Sequence, residues 1–111
     1  MSQRTQRVNQ LIKEQIGQLL LKEIDFGSLL VTITEVTTST DLSQAKIKIS
    51  VMPTDKEEQA LRILRKNIFQ LQQRLNKKMT MKIVPKIIFE IDQAEVKSKR
   101  IEEILGQMKK D

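Results

Sequence analysis

The sequence contains no cysteine and no histidine, and it also lacks tryptophan and tyrosine. Without cysteine the chain can form neither a disulfide framework nor a thiolate metal site, which is typical of proteins in a reducing compartment. Without histidine it lacks the commonest general base, the Ser-His-Asp and Cys-His nucleophile systems, and imidazole-ligated metal sites. We therefore expect a cytoplasmic protein that is not an enzyme and that needs no metal and no cofactor.

Long hydrophobic runs and aromatic residues are also scarce. The longest apolar runs are three residues, far below the roughly 20 that a membrane-spanning helix requires. The N-terminal stretch carries Arg4, Arg7 and Lys13 and offers no apolar segment for a signal peptide. Since three Phe are the only aromatic residues, Leu, Ile, Val and Met must build the core. We expect a soluble monomer with one hydrophobic core and few surfaces on which a base could stack.

The apolar pattern of the 111 residues predicts one α+β domain. Apolar residues at spacings of three and four predict a first helix from Ser2 or Gln3 to Glu23, which a turn at Gly27 follows. Period-two patterns predict strands over about 29–38, with a bulge near Glu35, and over 45–51.

The second half of the chain predicts a long helix, a third strand and a short final helix. A capping box from Thr54 to Glu57 is expected to start the long helix, which ends near 76–78. The third strand alternates from Ile83, with Pro85 where pairing begins, and ends at about 91. We expect the domain to span 1–95 and a helix or mobile tail to span 96–111. Helices would cover one face of a three-stranded sheet.

Negative charge is missing from one stretch of the chain. Residues 59–89 contain eight basic residues and no Asp or Glu, a formal charge of +8, whereas the remaining 12 basic and 14 acidic residues give −2. A one-signed surface attracts polyanions, because each neutralised phosphate releases counterions. Since ordinary solvated faces mix both signs, we interpret this stretch as an RNA-binding surface. The candidate RNA-binding residues, including two at the N-terminus, are Arg4, Arg7, Arg62, Arg65, Lys66, Arg74, Lys77, Lys78, Lys82 and Lys86.

Several of these side chains have simpler interpretations. The cations from Arg74 to Lys78 lie at a helix end, where they also complement the helix dipole. Glu57 and Glu58 are explained as a cap and as ion-pair partners of Arg62 rather than as a catalytic acid pair. The leucine pattern turns Gln72 and Gln73 away from the core, and we expect Phe69 to be a core residue. If Phe69 were exposed, it could stack on a base.

Several segments, in this order and spacing, together resemble a known family. They are Arg4 and Arg7 near the start, residues 31–36 (VTITEV), 41–42 (DL), 45–47 (AKI) and 84–89 (VPKIIF), followed by Asp92. The likeness covers nearly the whole chain and identifies it as similar to the bacterial ribosome-binding factor A proteins. The resemblance implies a type II K-homology fold and a role in late maturation of the small ribosomal subunit through its rRNA.

The resemblance also implies a particular RNA-binding feature. Many K-homology domains clamp RNA with a Gly-rich loop between two helices, whereas this family has an interhelical kink, typically Ala-x-Gly. Asn67, Ile68 and Phe69 align with that kink, and Phe69 cannot copy a glycine. Either Asn67 alone breaks the helix, or the helix continues with a gentler bend.

The preferred function is an assembly factor that binds rRNA and the free small ribosomal subunit. The alternative is a basic protein-interaction or translational-regulator module that docks on the ribosome without specific RNA contact. A metal-dependent RNA-processing enzyme would need clustered carboxylates, which the basic stretch lacks. Binding to a membrane or to a small-molecule substrate is not expected.

Overall fold

The computed structural model describes residues 3–93 of the chain. The predicted helix at 96–111 lies outside the described residues. The elements in chain order are α1 (Gln3–Glu23), β1 (Leu30–Thr38), β2 (Gln44–Met52), a 3-10 turn (Thr54–Lys56), α2 (Glu57–Lys66), α3 (Ile68–Lys78) and β3 (Lys86–Ile91).

The first helix ends where the sequence predicts. After Glu23 the backbone turns through Gly27, whose φ of 65° lies in the left-handed region that glycine adopts without strain. The Gly27 N–H donates to the Asp25 carboxylate at 2.8 Å, and the Leu29 N–H donates to the Phe26 carbonyl at 3.2 Å. This turn directs the chain into β1.

The three strands form one mixed sheet in the order β1-β2-β3. β1 pairs antiparallel with β2, and β2 pairs parallel with β3. The predicted bulge is confirmed, since the register between β1 and β2 shifts between Ile33 and Glu35. The pair α2–α3 is the crossover that a parallel pair of strands requires.

The core lies between the helices and one face of the sheet. Every second residue of β2 is buried on that face, and the alternate residues, such as Lys46 and Lys48, belong to the opposite face. The main buried side chains from the other elements are Val8, Ile12, Ile16 and Leu19 of α1, Leu61 and Leu64 of α2, Leu71 and Leu75 of α3, and Ile87 and Phe89 of β3. We call the uncovered side the open sheet face.

Two local predictions were wrong. Thr54 forms no capping box, because Pro53 starts a 3-10 turn and α2 begins only at Glu57. No side chain caps the start of the 3-10 turn or the start of α2. Ile83 is not part of the third strand: it is 75% exposed, and β3 begins at Lys86 after the buried Pro85. Proline donates no hydrogen bond, so pairing starts after it, as the prediction for Pro85 required.

The predicted fold class is confirmed. An α-β-β-α-β order with a broken long helix and all helices on one face of a three-stranded sheet is consistent with the type II K-homology fold.

Candidate nucleic-acid interface

The long helix is broken at a single residue, Asn67. Its φ of −102° and ψ of 7° lie outside the helical range. The Asn67 side-chain amide donates to the Ile63 carbonyl at 2.8 Å, and its backbone N–H donates to both Ile63 and Leu64. Asparagine competes in this way with regular helix geometry. Of the two outcomes left open by the sequence, Asn67 alone supplies the break.

Hydrogen bonds of helical type nevertheless continue across the break. The Asn67 N–H lies 3.2 Å from the Ile63 oxygen, and the Leu71 N–H donates to the Asn67 carbonyl at 3.0 Å. The two helices therefore follow each other in consecutive turns, although the backbone of Asn67 itself is not helical.

The exposed side of α2 and α3 carries cations. We call this side the helical surface and define it by Arg62, Arg65, Lys66, Lys77 and Lys78, which are all exposed. Within residues 3–93 none of the five lies in a salt bridge. Their charges are therefore available to an external anion.

Arg74 differs from its neighbours. Its guanidinium lies 3.5 Å from the carboxylate of Glu23 at the end of α1. The sequence could not reveal this pair, because the two residues lie on different helices. The ion pair neutralises one of the eight cations of the acid-free stretch.

The structure corrects the prediction for Gln72. Its side chain is half-buried, accepts the Ile87 N–H at 2.9 Å and donates to the Pro85 carbonyl at 3.1 Å. These two bonds attach α3 to the start of β3. No local sequence signal identifies this role, because both partners lie more than a dozen positions further along the chain.

Phe69 is also corrected. It is 73% exposed rather than part of the core. The buried stripe of α3 follows Leu71 and Leu75, and Phe69 lies two positions before Leu71, nearly on the opposite side of a helix. The interhelical residues Asn67 and Ile68 are half-buried, so Phe69 is the exposed member of the predicted kink.

The N-terminal cations come together with the loop between α3 and β3. Arg4, Arg7 and Lys82 line one groove of about 720 Å³, whose wall includes the exposed side chains Leu11 and Ile83. This groove unites candidates from distant parts of the chain. Their position on the same side of the molecule as α2 stays a prediction.

One acidic residue shares that groove. Hydrogen bonds from the side chains of Ser39 and Ser43, at 2.7 and 2.8 Å, lower the pKa of Asp41 to about 2. They also fold a tight loop in which Leu42 adopts a φ of 61°. The sequence predicts a loop at about 39–44, and its run of Ser, Thr and Asp is typical of turns stabilised by side chains.

Lys86 lies on a different surface from the helical cations. It pairs with Gln44 at the start of β3 and precedes the buried Ile87, so alternation assigns it to the open sheet face. There it accompanies Lys46 and Lys48, and Lys48 forms a salt bridge of 3.6 Å with Glu35.

Residues 3–93 show neither a membrane span nor a metal site. No helix in this range is long and apolar enough to cross a membrane. No group of three or more acidic side chains in this part of the chain is arranged to hold a metal ion.

The fold resembles several solved structures. A crystal structure of ribosome-binding factor A from Thermus thermophilus superposes with a TM-score of 0.64 at 23% identity and covers 78% of this chain and 94% of that one. A homology model of the Thermus protein, fitted into a cryo-EM map of a 30S–RbfA complex, gives a TM-score of 0.59 at 23% identity and covers 85% of this chain and 97% of that one. At these identities the likeness concerns the fold.

Sequence comparison gives the family. The protein named ribosome-binding factor A in Desulforamulus reducens is 36% identical over 97% of this chain and 92% of its own length. That of Opitutus terrae is 30% identical over 97% of this chain and 89% of its own length. The family described as ribosome-binding factor A matches residues 4–105. With a match across nearly its whole length, the chain belongs to the ribosome-binding factor A family.

Proposed function

We propose that this chain is a small-subunit assembly factor: it binds the immature small ribosomal subunit through rRNA, assists late maturation of that rRNA, and then leaves. It acts in the cytoplasm and catalyses no reaction. The observation that carries the proposal is the helical surface, where five exposed cations have no acidic partner within residues 3–93. Family membership and the 30S–RbfA complex of the Thermus protein support the small subunit as the target.

The helical surface is suited to phosphate binding because it is held rigidly. Buried Leu61, Leu64, Leu71 and Leu75 anchor α2 and α3 on the sheet. Binding to a prearranged surface costs less conformational entropy than binding that orders a loop. We assign this role to the unit formed by residues 1–95.

Further RNA contacts are proposed at three other places. Arg4, Arg7 and Lys82 would bind phosphates at the groove beside α1, and Lys86 would do so at the rim of the open sheet face. Arg74 contributes less, because Glu23 competes with phosphate for its guanidinium.

A second candidate function is a basic protein-interaction or translational-regulator module that docks on the ribosome without specific RNA contact. The groove beside α1 favours it, since Leu11 and Ile83 expose apolar surface next to three cations. Salt separates the two modes: affinity that depends on phosphates falls with a log-log slope of roughly 0.7 to 0.9 for each phosphate neutralised.

Crosslinking in cells tests the proposal. The full chain is crosslinked to RNA by ultraviolet light and purified under denaturing conditions, and the attached RNA is sequenced. We expect reads concentrated on small-subunit rRNA and enriched in its unprocessed precursors. A variant with Arg62, Arg65 and Lys66 changed to Glu should lose them. Reads spread over all cellular RNA, or crosslinks to protein alone, would contradict the proposal.

A further inference from the structure

Phe69 is exposed although burial would stabilise a side chain of its type. It is 73% exposed at the second residue of α3, directly after the break at Asn67. Leaving a Phe in water forgoes roughly 1.5–3 kcal/mol of burial free energy. Of the other two Phe, Phe89 is buried and Phe26 is half-buried against the core. With no Trp or Tyr in the sequence, Phe69 is the chain's one exposed aromatic ring.

The ring lies among cations. Phe69 follows Lys66 by three positions and Arg65 by four, all three side chains are exposed, and the hydrogen bonds of Asn67 to Ile63 and from Leu71 keep the two segments in consecutive turns. Residues three and four apart are neighbours on a helix. On the α3 side the next neighbour is the exposed Gln73, which is also polar. Phe69 is therefore an apolar ring inside a positive and polar surface.

This setting fits a nucleic acid base better than a protein pocket. Protein contact surfaces combine several apolar side chains at their centre. The other large exposed hydrophobic residues of the described chain are not part of α2 or α3; they are Leu11, Leu21, Leu30, Met52 and Ile83. Proteins that bind single-stranded RNA instead combine isolated aromatic rings with cations that follow the backbone.

We propose that Phe69 is a stacking platform for one unpaired base of the bound RNA, while Arg65 and Lys66 bind the phosphates on either side of that base. This inference rests on the proposed function and adds to it a residue that selects single-stranded RNA.

Four variants of the full chain test the inference on purified small ribosomal subunits. Phe69→Ala removes the ring, and Phe69→Leu keeps an apolar side chain without a π-face. Phe69→Trp preserves stacking and introduces the only tryptophan, so its fluorescence reports on the ring's environment. Leu21→Ala is the matched control, because Leu21 is 87% exposed and belongs to α1 rather than to the helical surface.

Affinity should fall about tenfold or more for Phe69→Ala and Phe69→Leu and stay unchanged for Phe69→Trp and Leu21→Ala. Stacking involves no counterion, so the slope of affinity against salt should not change. The fluorescence of the Phe69→Trp variant should be quenched on binding. Melting temperatures should be unchanged, because Phe69 makes few packing contacts.

The alternatives give different results. If Phe69→Leu binds normally and Phe69→Ala does not, or if the introduced fluorophore shifts to the blue without quenching, the ring contacts protein and the inference is wrong. If Phe69→Ala and Phe69→Leu both bind like the wild type, the ring does not contribute to binding and the inference is wrong, whereas the proposed function is unaffected. If the wild type itself fails to bind small subunits, the proposed function fails.

Discussion

The helical surface and the open sheet face both carry cations, but of the two only the open sheet face has a cation in a salt bridge within residues 3–93, Lys48 with Glu35. Alternation assigns three Lys to the open sheet face, together with the acidic residues Glu35 and Glu90. The helical surface has five cations without a salt bridge in the described chain. The number of basic residues on a surface therefore says little about its partner, whereas the position of the nearest acids says much.

Charge reversal on the helical surface should have the largest effect. Changing Arg62, Arg65 and Lys66 to Glu should abolish co-sedimentation with small subunits at physiological salt. Below that concentration it should reduce the log-log salt slope by roughly two to three, because about three phosphate contacts are lost.

The control has the same total charge on other surfaces. Lys13, Lys22 and Lys46 are exposed on α1 and on the open sheet face, and changing them to Glu also subtracts six charges. We expect this variant to keep co-sedimenting. Equal losses in both variants would mean that overall charge, rather than the helical surface, attracts the ribosome.

A smaller effect, on stability, is expected at the contact between α3 and the start of β3. Changing Gln72 to Leu removes the partners of the Ile87 N–H and the Pro85 carbonyl. The free energy of unfolding should fall by about 1–3 kcal/mol, as leaving buried polar groups unpaired costs. Urea unfolding followed by circular dichroism measures the change.

The adjacent Gln73 supplies the comparison for that measurement. It is exposed, so Gln73→Leu should change the free energy of unfolding by less than about 0.5 kcal/mol. Should both substitutions prove equally mild, Gln72 would not be what holds α3 against β3.

The smallest effect concerns the loop at the end of the sheet. Hydrogen bonds from Ser39 and Ser43 lower the pKa of Asp41 from 3.8 to about 2. Because the folded value lies below the unfolded one, the stabilisation is complete above pH 3.8 and is lost as the pH falls towards 2. Asp41→Asn should therefore lose less stability than the wild type between those pH values in acid-induced unfolding.

Asp55→Asn is the control for this loss. Asp55 is an exposed carboxylate in the 3-10 turn and accepts no side-chain hydrogen bond in the described chain. Its acid unfolding should follow that of the wild type. If the acid-unfolding profile of Asp41→Asn matched that of the wild type, the pKa of Asp41 would not be lowered in the folded protein.

What the sequence predicted, and what it did not, follows from the range of the interactions. The spacing of apolar residues predicted α1, β1 and β2 almost to the residue, because this signal is local. A shift in the apolar alternation of β1 identified the bulge at Glu35 for the same reason. Gln72 and Arg74 were misread or left uncertain, since their partners Pro85 and Glu23 become neighbours only in the folded chain.

Two other errors had local causes. The capping box predicted at Thr54 does not form, because Pro53 starts a 3-10 turn there. The prediction that Phe69 belongs to the core rested on its residue type rather than on its angular position on the helix. The cations of the candidate site on α2 and α3 are exposed, as the sequence predicts. The position of Lys86 on another face could be seen only once the strand pairing was known.

The parallel pairing of β2 with β3 has a consequence for how the protein reaches its target. Pairing of β3 with β2 requires the chain to return through both connecting helices, which makes this pairing a non-local folding step. The same step orients the arginines and lysines. If the chain acts as proposed, it meets the ribosome with these groups already arranged, so that little conformational entropy is lost on binding.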